Sequence, residues 1–288
     1  MLNRLLAIVS VYALGWVFHP GLAAAADEKV DARSNPWQMG LQDAGSPVME
    51  EIQDFHNLLL VIQVLIVLLV LGILAYVIYR FNAARHPVPT RTTHNTLLEV
   101  AWTALPIVIL VIIAIPSLRL LYYSDKAPDY DMTLKVTGHQ WYWTYGYPDH
   151  GEFEFDSIMV PEEDLEEGQA RLLTVDNRIV LPVDTTIQIL VAADDVIHNF
   201  AVPSLGLKMD AVPGRVNETW TRITREGMYY GMCSELCGVN HGFMPIQIEA
   251  VSKERFEEWT KEAQEQFASN RGRPATNVAE APRASETQ

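Results

Sequence analysis

From Cys233 to Met244 the chain reads Cys-Ser-Glu-Leu-Cys-Gly-Val-Asn-His-Gly-Phe-Met, and this stretch holds both of its cysteines together with His241 and Met244. Two thiolates, an imidazole and a thioether are soft or borderline ligands, suited to copper, zinc or an iron-sulfur cluster rather than to magnesium or calcium. Copper fits best. A thioether is a well-known weak axial ligand of copper but is uncommon on zinc, and the C-x2-C pairs typical of structural zinc are missing.

The spacing allows the set to close on one centre. Cys233 and Cys237 are four positions apart, as are Cys237 and His241, and Gly238 and Gly242 let a loop fold tightly around an ion. His198, in Asp194-Asp-Val-Ile-His-Asn-Phe200, reads as the end of a strand and could complete the shell from a neighbouring loop. Two cysteines in an oxidising compartment ordinarily signal a disulfide. A histidine and a methionine at ligand spacing move the reading to a metal. By itself, His198 reads as a hydrogen-bonded surface or core histidine.

The rest of the chain is organised to carry this cluster. Met1 to Ala26 has a lone Arg4, an apolar run from Leu5 to Phe18 and four alanines before Asp27, the pattern of a secretory signal peptide. Residues 27–54 mix Pro and Gly with charges, and Trp37 and Met39 could pack on a partner. Leu58 to Tyr79 is free of charge and, at 1.5 Å per residue, long enough for the roughly 30 Å of a bilayer core. Val100 to Leu118 is a second uncharged run, with Pro106 and Pro116 expected to bend it. Together they predict a transmembrane hairpin over residues 55–121. The loop between them carries Arg80, Arg85 and Arg91 and no acid before Glu99, which places it in the cytoplasm and both ends outside. Glu99, at the mouth of the second helix, is a functional candidate as an ionisable group at a membrane boundary. Its other reading is a carboxylate favoured by the helix dipole.

After residue 122 short alternating segments separated by Pro and Gly take over: 132–136, 153–155, 171–175, 186–191, 218–223 and 246–251. They predict an all-β sandwich or barrel of Greek-key type over residues 122–251, and metal loops between adjacent strands at one end of a rigid sheet fit a cupredoxin-like architecture. Ser252 can cap a C-terminal helix over 252–268 whose Phe256, Trp259, Ala263 and Phe267 share a face. Residues 269–288 read as a disordered tail. Acids outnumber bases 36 to 21, a net charge of -15. The imbalance falls in the downstream domain, which argues against nucleic acid and for a basic protein partner.

With His198 upstream, the run from Cys233 to Met244 resembles the dinuclear copper (CuA) signature of bacterial aa3-type cytochrome c oxidase subunit II, and the likeness extends over roughly residues 50–250. It implies that Cys233 and Cys237 bridge two copper ions, that His198 and His241 cap one each, and that Met244 and the Glu235 carbonyl are axial ligands. The Glu235 side chain would ligate a magnesium or manganese ion shared with subunit I. In Gly138-His-Gln-Trp-Tyr-Trp-Thr-Tyr-Gly-Tyr147, Trp141 would be the ring that takes the electron from cytochrome c, and Glu99 would stand at the entrance of a proton pathway. Asp149, Glu152, Glu154, Asp156, Asp194 and Asp195 could ring the copper site and attract the donor. The resemblance also implies haem and oxygen reduction in subunit I, with subunit III and lipid as further partners. The copper domain would lie on the periplasmic side of a bacterial inner membrane. Quinol oxidase subunit II has lost these ligands, nitrous oxide reductase is a larger soluble enzyme, and a copper-delivery protein would need a labile mononuclear site.

Overall fold

The computed structural model describes residues 29–88 and 90–267. The expected signal peptide (1–26) and tail (269–288) therefore lie outside the described residues. Two helices come first, α1 (Pro47–Arg80) and α2 (Thr96–Asp125), both longer than the uncharged runs inside them. Ser46 caps α1, its Oγ accepting from the Met49 amide at 3.1 Å, with Pro47 at the first helical position. Asn95 caps α2 by accepting from the Leu98 amide at 3.2 Å, and Glu99 reaches back to the Asn95 amide at 3.3 Å. The two bonds together satisfy backbone amides at the start of α2. Pro106 and Pro116 lie inside α2 without ending it. Both helices are long and apolar enough to cross a membrane, and their apolar side chains are exposed along their length. Their cover must be lipid or other protein.

The β-domain consists of two sheets. One orders β4 (Phe153–Ser157), β3 (Tyr142–Tyr147), β2 (Met132–His139), β6 (Ile187–Ala193) and β9 (Asn217–Thr221). The other orders β5 (Ile179–Pro182), β11 (Pro245–Val251), β10 (Gly227–Cys233), β7 (His198–Val202) and β8 (Leu207–Ala211), and short β1 (Val30–Asp31) joins the start of β10. Between them lie Leu134, Val136, Trp143, Tyr145, Ile189, Phe200, Tyr229 and Ile248, all fully buried. β6 and β10 alternate buried with half-buried residues, as strands with one face on a core must. This is the cupredoxin-like class expected.

One local expectation is corrected. Residues 171–175 do not form a strand: the amides of Leu173 and Thr174 donate back to the Ala170 carbonyl, and only Val175 makes an isolated bridge, to Met159. The alternation of Arg171-Leu-Leu-Thr-Val175 imitated a strand, but turn bonds to Ala170 prevailed. The aromatic run 138–147 is shared between β2 and β3, whose hairpin turns at Gln140 and Trp141. The final helix, α3 (Lys253–Phe267), starts at Ser252 as expected, with Ser252 Oγ accepting from the Arg255 amide at 3.2 Å. Phe256 and Ala263 are buried, and Trp259 and Phe267 pack beside them against the core.

The hairpin is fastened to the β-domain. Ser46 Oγ donates to the Leu205 carbonyl at 2.7 Å, and the Gly45 amide donates to the Ser204 carbonyl at 2.8 Å. On the other helix, Trp220 Nε1 donates to the Tyr123 carbonyl at 3.2 Å while the two rings meet edge to face at 5.5 Å. The turn at Leu205 directly follows β7, whose first residue is His198. Thus β7 runs from the candidate ligand to the anchor, about 17 Å at 3.3–3.4 Å per residue.

Candidate metal centre

Neighbouring strands of one sheet deliver the cysteine, histidine and methionine side chains to the same end. Cys233 ends β10 opposite Phe200 of β7, so His198 lies close by, and the loop from Ser234 to Met244 returns to β11. The cysteines are free and buried, with their sulfurs 3.9 Å apart. Cys233 Sγ lies 3.9 Å from His198 Nδ1 and 3.3 Å from the Glu235 carbonyl oxygen. Cys237 Sγ lies 3.6 Å from His241 Nδ1 and 3.5 Å from Met244 Sδ. Each sulfur therefore has one imidazole nitrogen and one further oxygen or sulfur donor beside it. Among the described residues, His198, Cys233 and Cys237 are the group of metal-binding side chains whose ligand atoms fall within 4.8 Å of one another.

The electrostatics of the two thiols differ. Burial raises the Cys233 thiol, but His198 and the backbone amides outweigh it and bring the pKa down to about 7. Burial and the neighbouring Cys233 push Cys237 up to about 12. Two thiolates 3.9 Å apart would repel each other, so a cation between them favours holding both. Two thiolates, two Nδ1 atoms, a thioether and a carbonyl oxygen suit copper, and the donor set fits the implied dinuclear centre.

The surrounding residues fix this set. His198 is fully buried, with its ring against Gly138: a Cβ there would lie 2.9 Å from His198 Cδ2. Trp143 stands edge-on to His198 at 5.9 Å, and its Nε1 donates to the Met244 carbonyl at 3.2 Å. Gln140 Nε2 donates to the Cys237 carbonyl at 2.7 Å. Asp195 accepts from His198 Nε2 at 2.8 Å and from the Gln140 amide at 2.6 Å. Asp195 is thereby held below the usual carboxylate range despite the opposing effect of burial, and His198 above its ordinary value. Sequence reading missed the supporting roles of Gln140, Trp143 and Asp195. An aspartate three residues before the histidine was the one available signal.

Trp141, at the hairpin turn, is half-buried against the copper loop, and a Cβ on Gly238 would meet its Cζ2 at 2.9 Å. Its ring therefore abuts the residue after Cys237. The acids divide into two groups. Asp149 accepts from the Thr133 amide and Asp156 from Thr144 Oγ1, both at 2.7 Å, so both have structural partners. The Tyr142 phenol beside Trp141 is raised by partial burial and then by Asp156, Asp194 and Asp195, which places three carboxylates around this corner. Leu236, Val239 and Phe243 are exposed on the loop, an apolar patch suited to protein contact. The Glu235 side chain is exposed, and among the described residues it belongs to no group of metal-binding side chains. Glu99 lies far along the chain, bonded to the cap residue of α2.

Fold and donor set together define a membrane-anchored cupredoxin-like domain with a His/Cys/Cys group consistent with copper. Residues 132–251 match the family model described as cytochrome c oxidase subunit II, periplasmic domain, and residues 34–120 match its transmembrane domain. A probable cytochrome c oxidase subunit 2 of Rickettsia bellii is 60% identical over 224 residues, covering 78% of this chain and 83% of the relative. The Arabidopsis thaliana cytochrome c oxidase subunit 2 is 49% identical over 232 residues, covering 78% and 89%. The crystal structure of the periplasmic domain of subunit II of the Bradyrhizobium japonicum oxidase is 51% identical, covers 49% of this chain and 99% of that one, and superposes with a TM-score of 0.47. The chain belongs to the cytochrome c oxidase subunit II family, and its role is that of subunit II in a membrane-bound oxidase with other subunits.

Proposed function

We propose that this subunit takes single electrons from cytochrome c through Trp141 and passes them to haem in subunit I by way of a dinuclear copper centre at Cys233 and Cys237. The observation that carries the reading is the paired arrangement of donors, in which each cysteine sulfur has its own imidazole and its own axial atom. Two copper ions held there would supply a one-electron centre shared across the bridging sulfurs. The protein's part is to keep the donors still. His198 and Met244 are both held by Trp143, the Cys237 carbonyl is held by Gln140, and Cys233 and Cys237 are shielded from water. A relay benefits from such rigidity because little has to move when charge arrives.

Trp141 is the input side, since its ring bridges solvent and the Gly238 backbone. Asp194 and the other uncommitted rim acids attract a basic donor and act mainly on association rate. The exposed Glu235 carboxylate would complete a magnesium or manganese site with groups of subunit I. Glu99 opens the proton path, and its capping bond is the competing explanation. The copper domain faces the periplasm of a bacterial inner membrane, consistent with the basic inner loop. Metal counting and low-temperature spin resonance on the full chain test the centre. Two coppers per chain with a seven-line pattern from one electron shared by two equivalent nuclei are expected; one exchangeable copper with four lines would overturn the relay in favour of copper delivery.

A further inference from the structure

We infer that Asp195 is a positioning residue for the ligand His198, whereas its neighbour Asp194 is a free rim charge; the inference rests on the relay reading above. The two aspartates are adjacent in sequence and opposite in situation. The Asp194 side chain is 71% exposed, and its nearest basic partner is His139 Nδ1 at 3.7 Å. Asp195 is 33% exposed and accepts from three donors: His198 Nε2 at 2.8 Å, the Val196 amide at 2.6 Å and the Gln140 amide at 2.6 Å.

These contacts set the chemistry of His198. A neutral imidazole that carries its proton on Nε2 offers its lone pair at Nδ1, the atom facing Cys233. A carboxylate, which only accepts, selects that tautomer and holds the ring plane. His198 has no solvent to turn toward, being fully buried. The same carboxylate steadies the other half of the donor set, because Gln140 donates its side chain to the Cys237 carbonyl while giving its amide to Asp195. Asparagine at 195 can keep its Oδ1 toward His198 and Val196 and oppose only the Gln140 amide, whereas alanine removes both oxygens and leaves all three donors without their acceptor.

The test compares D195A and D194A in the full-length subunit assembled with its oxidase. For D195A, copper retention is expected to fall about 10- to 100-fold, the usual effect of losing an outer partner of a metal-bound histidine. Its hyperfine spectrum changes and its midpoint potential rises, because a negative charge beside the centre is lost. D194A keeps the wild-type spectrum and copper retention but associates with cytochrome c more slowly and with a weaker dependence on salt. A D195A protein with wild-type spectrum and copper retention would overturn the inference while leaving the relay intact. A wild-type chain lacking the shared-electron signal would overturn the relay. The tautomer of the neutral His198 ring in the copper-free wild-type protein, read from 15N shifts at alkaline pH, decides the role of Asp195 without any variant: a proton on Nε2 supports it and a proton on Nδ1 refutes it.

Discussion

Gly238 and Gly242 flank His241 in the copper loop and look alike in sequence, yet replacing each by alanine should give very different proteins. Gly238 has φ +127°, a region that costs a side-chain-bearing residue about 1–3 kcal/mol. Its new Cβ would also lie 2.9 Å from Trp141 Cζ2, 3.2 Å from Gln140 Nε2 and 3.3 Å from Trp141 Nε1. Such overpacking costs about a further 1–3 kcal/mol when nothing yields. The half-buried Trp141 ring is the part that can give way, so the net loss should be about 2–3 kcal/mol. For a domain of this size that lowers Tm by about 5–10 °C. Because the ring that yields is the proposed electron input, the rate from reduced cytochrome c should fall as well. Gly242 has nothing within 4 Å of an added Cβ and no positive φ, so G242A should stay within about 0.5 kcal/mol of wild type. Thermal melting of the copper-loaded full chain and flash-initiated electron input give both readings. Equal behaviour of the two variants would refute the packing of Trp141 on the copper loop.

Trp141→Phe should slow electron input while leaving cytochrome c affinity nearly unchanged, as measured by stopped-flow reduction and equilibrium binding; an unaltered rate would retire Trp141 from that role. Ser46→Ala removes a helix cap and leaves the buried Leu205 carbonyl without its donor, so stability should drop by about 1–3 kcal/mol in thermal melts, and no change would argue against this joint between hairpin and β-domain. Burial holds His150 below its ordinary value of 6.5, so the unfolded chain takes up this proton before the folded one. Its effect on stability is therefore neutral above pH 6.5 and becomes adverse as pH falls below it. His150→Gln should flatten the fall in Tm on acidification, and an unchanged slope would count against that burial.

What the sequence disclosed depended on how locally each feature is encoded. The sulfur and imidazole donors from Cys233 to Met244 sit within one loop, so ligand chemistry and spacing alone brought them together. Long uncharged runs declared α1 and α2, and the 3.6-residue pattern of Phe256, Ala263 and Phe267 declared α3. β7 was harder to see, because all five of its residues are buried and no alternation survives. β10 contains Gly227 and Gly231, whose approach to Val30 and Ala201 is a property of the folded sheet rather than of the local sequence. Asp195 read as one more acid in an acidic domain. Its three donors come from residues 140, 196 and 198, and the first of these is brought close only when β2 pairs with β6.

The same sheet governs the site and its height above the membrane. β7, β10 and β11 are neighbours, with Cys233 opposite Phe200 and Met232 opposite both Ala201 and Pro245. That register places His198, Cys233 and Met244 side by side through backbone hydrogen bonds, which do not depend on a metal being bound. A metal entering the site would thus meet donors already arranged, and the main change left to it would be the loss of thiol protons. The other end of β7 leads to the turn whose Leu205 carbonyl takes the Ser46 hydroxyl at the head of α1. A strand that fixes a candidate ligand at one end and the membrane anchor at the other sets the separation between them, so the donor set is held rigid in shape and in distance from the hairpin.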